Sequence, residues 1–275
     1  MPLRKLEPTF HERVWGSTEL EPWFPNPVSA VAPLTTGPAA AIGEVWHEVP
    51  DDLPLLVKFL FTTEPLSIQV HPDDTYARAH HNSAGKTEMW HVLGAPASAK
   101  IAAGFRKTVT PERVRAAALS LQPDEIGEML EWFDAAPGDT FLIPAGVVHA
   151  IGAGLVLCEI QQPSDVTYRI YDYGRGRELH LDHALAVAKF GAHPARAKIP
   201  VTSDYFVTSR LTVHGQVLYR PMTQRPQLLI AIHGQGEIAG HPLKAGDVWY
   251  LPGDSPHVPI TGEVTLLRAL VPQAP

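Results

Sequence analysis

The chain has 275 residues, 45% of them hydrophobic, and its 22 basic against 29 acidic residues give a formal net charge of −7. That length can bury a real core, as one large all-β domain or as two smaller ones. The acidic balance, with no basic stripe, excludes an ordinary nucleic-acid binder, so any anionic ligand must find a local cationic pocket.

In chain order, residues 1–40 are proline-rich and read as irregular, with Glu44–Glu48 a first strand. Residues 53–61 (LPLLVKFLF) and 66–72 (LSIQVHP) read as consecutive strands around a TTEP turn, and the polar stretch after them as a short helix and loop. Strands are expected at 87–95 and 98–105. Thr110 then offers a helix N-cap, with Pro111 at the first helical position and Glu112 complementing the positive helix end. A second short helix, PDEIGEMLEWF, is expected from about Asp124. Strands resume at 140–143, 148–151, 155–161 and 166–171, and LDHALAVAKFG predicts a helix from about Asp182 that Gly191 stops. Beyond residue 200 the pattern is β again, in YFVTSRLTV, QVLYR, QLLIAIHG, GEIAG, GDVWYLP and VTLLRALV. The 27 prolines and 21 glycines are dispersed, which suits many short strands joined by turns.

Two β-rich stretches around a helical piece predict a mainly β protein of two jelly-roll barrels. A degenerate repeat supports this: GDTFLIPAGVVHAI at 138–151 and GDVWYLPGDSPHVP at 246–259 share a Gly-Asp turn, an apolar strand, a Pro-Gly turn and a histidine. The expected division is residues 1–195 for a metal-binding barrel with a short helical insertion and 196–275 for a degenerate, metal-free barrel. His257 stands alone in the second copy, and a lone histidine cannot hold a catalytic metal. Cys158, the single cysteine, removes any intramolecular disulfide or cysteine-based zinc knuckle. With no apolar leader and no run near the roughly 18 apolar residues of a spanning helix, a soluble cytoplasmic protein is expected. It has no membrane or nucleic-acid partner in this reading and is a monomer or small homo-oligomer.

The chemistry concentrates in four short segments. Gln69 and His71 in SIQVHPDD lie two apart, as do Lys86 and Glu88 in GKTEMW, so on strands each pair shares a face. With His149 of PAGVVHAIG they make a set of two imidazoles, a carboxylate and an amide, with a lysine beside it. Such an N/O set suits zinc and also accepts manganese, iron(II), cobalt or nickel. Singly, His71 reads as well as a turn histidine before Pro72 and His149 as a core histidine; the combination carries the metal reading.

Gly138-x5-Pro144-x-Gly146-x2-His149 resembles the second motif of the cupin superfamily, with Ala153 where the closing asparagine would fall. Within that superfamily the chain resembles the type I phosphomannose isomerases, especially the short bacterial kind. The segments that carry the likeness are VWGSTEL, LSIQVHPDD, GKTEMWHVLG, GDTFLIPAGVVHAIG and DVTYRIYDYGR, over roughly the first two-thirds of the chain. The resemblance implies one zinc ion held by Gln69, His71, Glu88 and His149, with Lys86, Asp165 and Arg169 lining a sugar-phosphate site. It also implies interconversion of mannose 6-phosphate and fructose 6-phosphate. A histidine often precedes the lysine in larger members; here Gly85 stands there, so a relay role for that histidine cannot be transferred.

Aldose–ketose isomerisation moves a proton between C2 and C1 through a cis-enediol, and positive charge near the oxygens favours it. Lys86 is expected to have its pKa pushed down beside a metal cation, and Arg169 to stay charged. Asp165, four residues before Arg169, shares its face if both lie on one strand. Glu159 reads as well as an ordinary acid as a neighbour of the metal site. Lys58, Ser67 and Arg175 are candidates for the remaining phosphate contacts. Two rivals stand beside the isomerase: a non-haem iron cupin oxygenase, since two histidines and a carboxylate also activate oxygen, and a non-catalytic sugar-binding cupin.

Overall fold

The computed structural model describes residues 3–25, 41–120 and 125–273. Backbone contacts divide the chain into two compact units, Thr62–Ala197 and a second made of Met1–Phe61 with Lys198–Pro275. The boundary read near residue 195 has a counterpart at Ala197/Lys198, but the first 61 residues group with the C-terminal part. Their strands explain why: Arg4–Leu6 pairs with Val248–Leu251, Lys5 opposite Trp249.

The Thr62–Ala197 unit carries a five-stranded antiparallel sheet in the order Tyr168–Tyr171, Ile68–Val70, His149–Ile151, Lys100–Phe105, Leu130–Asp134. Strands Arg196–Ala197, Thr140–Ile143, Glu88–Gly94 and Val156–Gln161 lie side by side in a second sheet. Alternation sorts the five-stranded sheet into two faces. Ile68, Val70, Ala102, Ala150, Tyr168 and Ile170 pack into one buried cluster with Val114, Ala117, Leu181 and Ala184 from helices Pro111–Ala118 and Leu181–Val187. Gln69, His149 and Arg169, the residues between them in sequence, take the opposite face. They stand in one row, Gln69 directly opposite both His149 and Arg169.

Local signals account for most helix ends. Thr110 caps Pro111–Ala118 by accepting the Arg113 N–H at 3.2 Å. Asp73 caps Asp74–His81 by accepting the Tyr76 N–H at 2.9 Å. Three expectations change. Leu130–Asp134 is a strand paired with Lys100–Phe105, so only Glu125–Met129 of the second short helix is helical, and Asp124 lies outside the described residues. The last helix ends at Val187, not at Gly191, because Lys189 N–H bonds the Gly146 carbonyl and pulls the chain away. The N-terminal region is not irregular where described: Arg4–Leu6 and Thr9–Ser17 are strands, the latter paired with Ile42–Glu48.

The other unit is built on a sheet ordered Arg4–Leu6, Val248–Leu251, Gln227–Ile238, Val258–Leu270, Val207–Tyr219, Val201–Thr202, with His241–Lys244 paired to Gln227–Ile238. Segments that read as separate strands run continuously through glycines: Gly215, Gly262 and Gly236 stand opposite one another across three strands. A Cβ on Gly262 would come within 2.5 Å of the Gln235 carbonyl oxygen, so the close approach there needs glycine. Leu229, Ala231, Trp249, Leu251, Ile260, Val264 and Leu266 form this unit's buried cluster. No helix among the described residues is long and apolar enough to cross a membrane.

Candidate metal centre

His71, Glu88 and His149 converge in the Thr62–Ala197 unit, fully buried, with one ligand atom of each within 4.8 Å of the others. Glu88 Oε2 lies 3.5 Å from His71 Nε2 and Glu88 Oε1 lies 3.4 Å from His149 Nε2. The imidazoles are held in one tautomer. His71 Nδ1–H donates to the Val166 carbonyl and His149 Nδ1–H to the Val147 carbonyl, each at 2.9 Å. Carbonyls only accept, so both Nε2 lone pairs face the cluster, as metal ligands require.

Gln69 lies beside the set, its Nε2 turned toward His149. Its amide lies 3.3 Å from His149 Nε2, and Ser67 Oγ bonds its other end at 3.0 Å. A hydroxyl can donate or accept, so Ser67 supports either orientation of the amide, including the one that turns Oε1 toward the cluster. Lys86 Nζ is 2.9 Å from Glu88 Oε2 and 3.2 Å from His71 Nε2. The shared projection of Lys86 and Glu88 is therefore observed, although Lys86 precedes the strand, which begins at Glu88.

Burial pushes both histidines below their ordinary range, and for His71 the nearby Lys86 charge adds to it. Burial alone would raise Glu88; Lys86, together with His149 and hydrogen bonding from Glu159, outweighs it and holds the carboxyl below its usual value. Neutral imidazoles beside an ionised carboxylate are the protonation states a divalent cation selects. Both Glu88 oxygens are buried without a well-directed hydrogen bond. Lys86 Nζ meets Oε2 at 2.9 Å, and the carboxylate lies between the lone pairs of two imidazoles, at 3.5 Å from His71 Nε2 and 3.4 Å from His149 Nε2. The donor set therefore fits a divalent metal ion.

Among the chain's own groups, burial lowers the Lys86 pKa, but Glu88, Glu159 and Asp165 together raise it above its ordinary value; a bound cation would add to the lowering. Glu159, left undecided by the sequence, belongs to this pocket. It is 3% exposed, accepts the Trp90 indole N–H at 2.9 Å, and its charge acts on His71, Lys86 and His149. Its signal was register: it lies opposite Trp90, and Gln161 opposite Glu88, so Glu159 shares the Glu88 face.

The remaining candidates are more dispersed. Asp165 is exposed and precedes the strand Tyr168–Tyr171, so the shared-face argument with Arg169 does not apply. Arg169 is half-buried, and its Nε–H donates to the Glu178 carbonyl at 2.9 Å. Arg175 and Arg177 both meet Asp172, the latter through two hydrogen bonds. Lys58, in the other unit, is buried over the Trp46 ring at 4.0 Å with Glu44 also 4.0 Å away.

The chain is similar to known proteins over most of its length. The catalytic-domain profile of type I phosphomannose isomerase matches residues 34–89. The mannose-6-phosphate isomerase ManA of Bacillus subtilis is 32% identical over 90% of this chain and 92% of its own length. A crystal structure of the mannose 6-phosphate isomerase from Bacillus subtilis superposes with a TM-score of 0.79 at 27% identity, covering 96% of this chain and 98% of that one. A zinc-bound mannose 6-phosphate isomerase shares the fold at 16% identity, with a TM-score of 0.72 over 98% of this chain and 100% of that one.

Proposed function

The chain belongs to the type I phosphomannose isomerases, and on that premise we propose that it interconverts mannose 6-phosphate and fructose 6-phosphate with one zinc ion held by Gln69, His71, Glu88 and His149. The observation that carries the metal part is the buried Glu88 carboxylate between the Nε2 lone pairs of His71 and His149. When bound, the cation supplies Lewis-acid stabilisation to the sugar oxygens that become negative as the enediol forms.

The chain's own residues supply the rest. Lys86, with Nζ 2.9 Å from Glu88 Oε2, places an amine that can carry charge and a transferable proton beside the ligands. Glu159 is the buried carboxylate positioned to exchange a proton with Lys86 or substrate, oriented by the Trp90 indole. Arg169, in register with Gln69 and His149, adds a permanent charge for the enediolate or the phosphate, and Asp165 is near enough for its charge to act on Lys86. The burial of His71, Lys86, Glu88 and His149 excludes bulk water from their charges, which strengthens each interaction.

The test is proton NMR of mannose 6-phosphate with zinc-loaded protein in D2O. Fructose 6-phosphate resonances should grow to an equilibrium mixture at the expense of substrate. Unchanged sugar, or oxygen consumption when iron(II) is supplied instead, would refute the isomerase reading.

A further inference from the structure

The tripeptide Gly85–Lys86–Thr87 carries the lysine and leads into Glu88, yet it belongs to no strand or helix. A segment without a ladder still has N–H groups to satisfy, and here each has a dedicated acceptor. Gly85 N–H donates to the Asp74 carboxylate at 2.8 Å. Lys86 N–H donates to the Pro72 carbonyl at 3.0 Å. Thr87 N–H donates to Gln162 Oε1 at 2.8 Å.

Two of those acceptors are side chains, and they are joined: Gln162 Nε2–H donates to the same Asp74 oxygen at 3.0 Å. The chain continues, because Thr87 Oγ1 accepts the Ala145 N–H at 3.1 Å and the neighbouring Gly146 N–H bonds the His71 carbonyl at 2.9 Å. Asp74 thus opens a path through Gln162 and Thr87 to the turn that precedes His149. Every segment bearing a His or Glu ligand is tied to it.

We propose that Asp74 and Gln162 are positioning residues that clamp Gly85–Thr87 so that Lys86 and Glu88 meet the two histidines. The proposal rests on the metal reading above and concerns how the ligands are held, not which they are. Gly85 belongs to the clamp, since a Cβ there would lie 2.6 Å from the Asp73 carbonyl carbon and the Asp74 nitrogen. The tight approach that lets Asp74 reach the Gly85 N–H leaves no room for a side chain at this place.

The test uses full-length protein and substitutions that separate shape, charge and acceptor. Asp74→Leu removes the acceptor, Asp74→Asn keeps an acceptor oxygen without the charge, and Gln162→Met removes the link to Thr87. Zinc affinity is read by competition with a chromophoric chelator, ligand geometry by the visible absorption of the cobalt(II)-substituted protein, and folding by thermal unfolding. Asp74→Leu and Gln162→Met should weaken zinc binding roughly 10–100-fold, as loss of groups orienting metal ligands does. They should also shift the cobalt bands and lower kcat more than they raise KM. Asp74→Asn should stay within about threefold of wild type. A folded Asp74→Leu protein with wild-type zinc affinity and cobalt spectrum would overturn the clamp. So would an Asp74→Asn protein as impaired as Asp74→Leu, since charge rather than the acceptor would then matter. Wild-type protein that takes up no zinc would instead overturn the metal reading beneath it.

Discussion

His47 gives the fold a specific weakness to acid. It is 1% exposed among aromatic rings, with Phe59 at 5.9 Å and Phe24 at 6.1 Å, and its Nδ1 has no hydrogen-bond partner. Burial, helped by the Lys5 charge, lowers its pKa from 6.5 to about 3. Because the folded value is depressed, the unfolded chain binds the proton more readily between those limits. Stability is therefore complete above about pH 6.5 and falls as pH drops toward 3. Integrating over that range, this one group costs about 2 kcal/mol between pH 7.5 and pH 5.0. Replacing it with leucine, an apolar side chain of similar size, should abolish that component. Urea unfolding of chelator-treated wild type and His47→Leu at both pH values measures it. The wild type should lose about 2 kcal/mol more than the variant on acidification. His71 and His149 titrate in both proteins, so they cancel in the comparison. Equal losses in the two proteins would refute the assignment of a neutral, desolvated His47.

Three further outcomes follow from the metal pocket. Lys86→Met should lower kcat by about 10²–10⁴-fold while the zinc content, by elemental analysis, stays at one per chain; loss of zinc along with activity would make Lys86 a structural partner of Glu88. Glu159→Gln keeps an acceptor for the Trp90 indole but removes the charge, so turnover should fall by about 10²-fold or more with zinc affinity little changed, and an unaltered kcat would remove Glu159 from the proton transfers. Gly85→Ala forces a Cβ against the Asp73–Asp74 peptide, so thermal unfolding should show a loss of about 1–3 kcal/mol together with weaker zinc binding.

What the sequence made legible was whatever depends on strand periodicity. The pairs Gln69/His71 and Lys86/Glu88 were readable because residues two apart on extended chain share a face, and their side chains do meet at one cluster. Thr110–Pro111 was readable because a cap is a local device. Features set by distant pairing were not. Leu130–Asp134 looks helical by itself and becomes a strand only because Lys100–Phe105 offers it an edge. Arg4–Leu6 needs Val248–Leu251, more than two hundred residues away. Glu159 could not be separated from a surface acid until its strand was placed against Trp90 and Glu88.

The most direct test of the account is a coupled assay for fructose 6-phosphate formed from mannose 6-phosphate, run on chelator-stripped protein before and after zinc is returned. The account predicts no turnover in the stripped protein and full recovery at one zinc per chain. No turnover after addition of zinc, manganese, iron(II) or cobalt would contradict it.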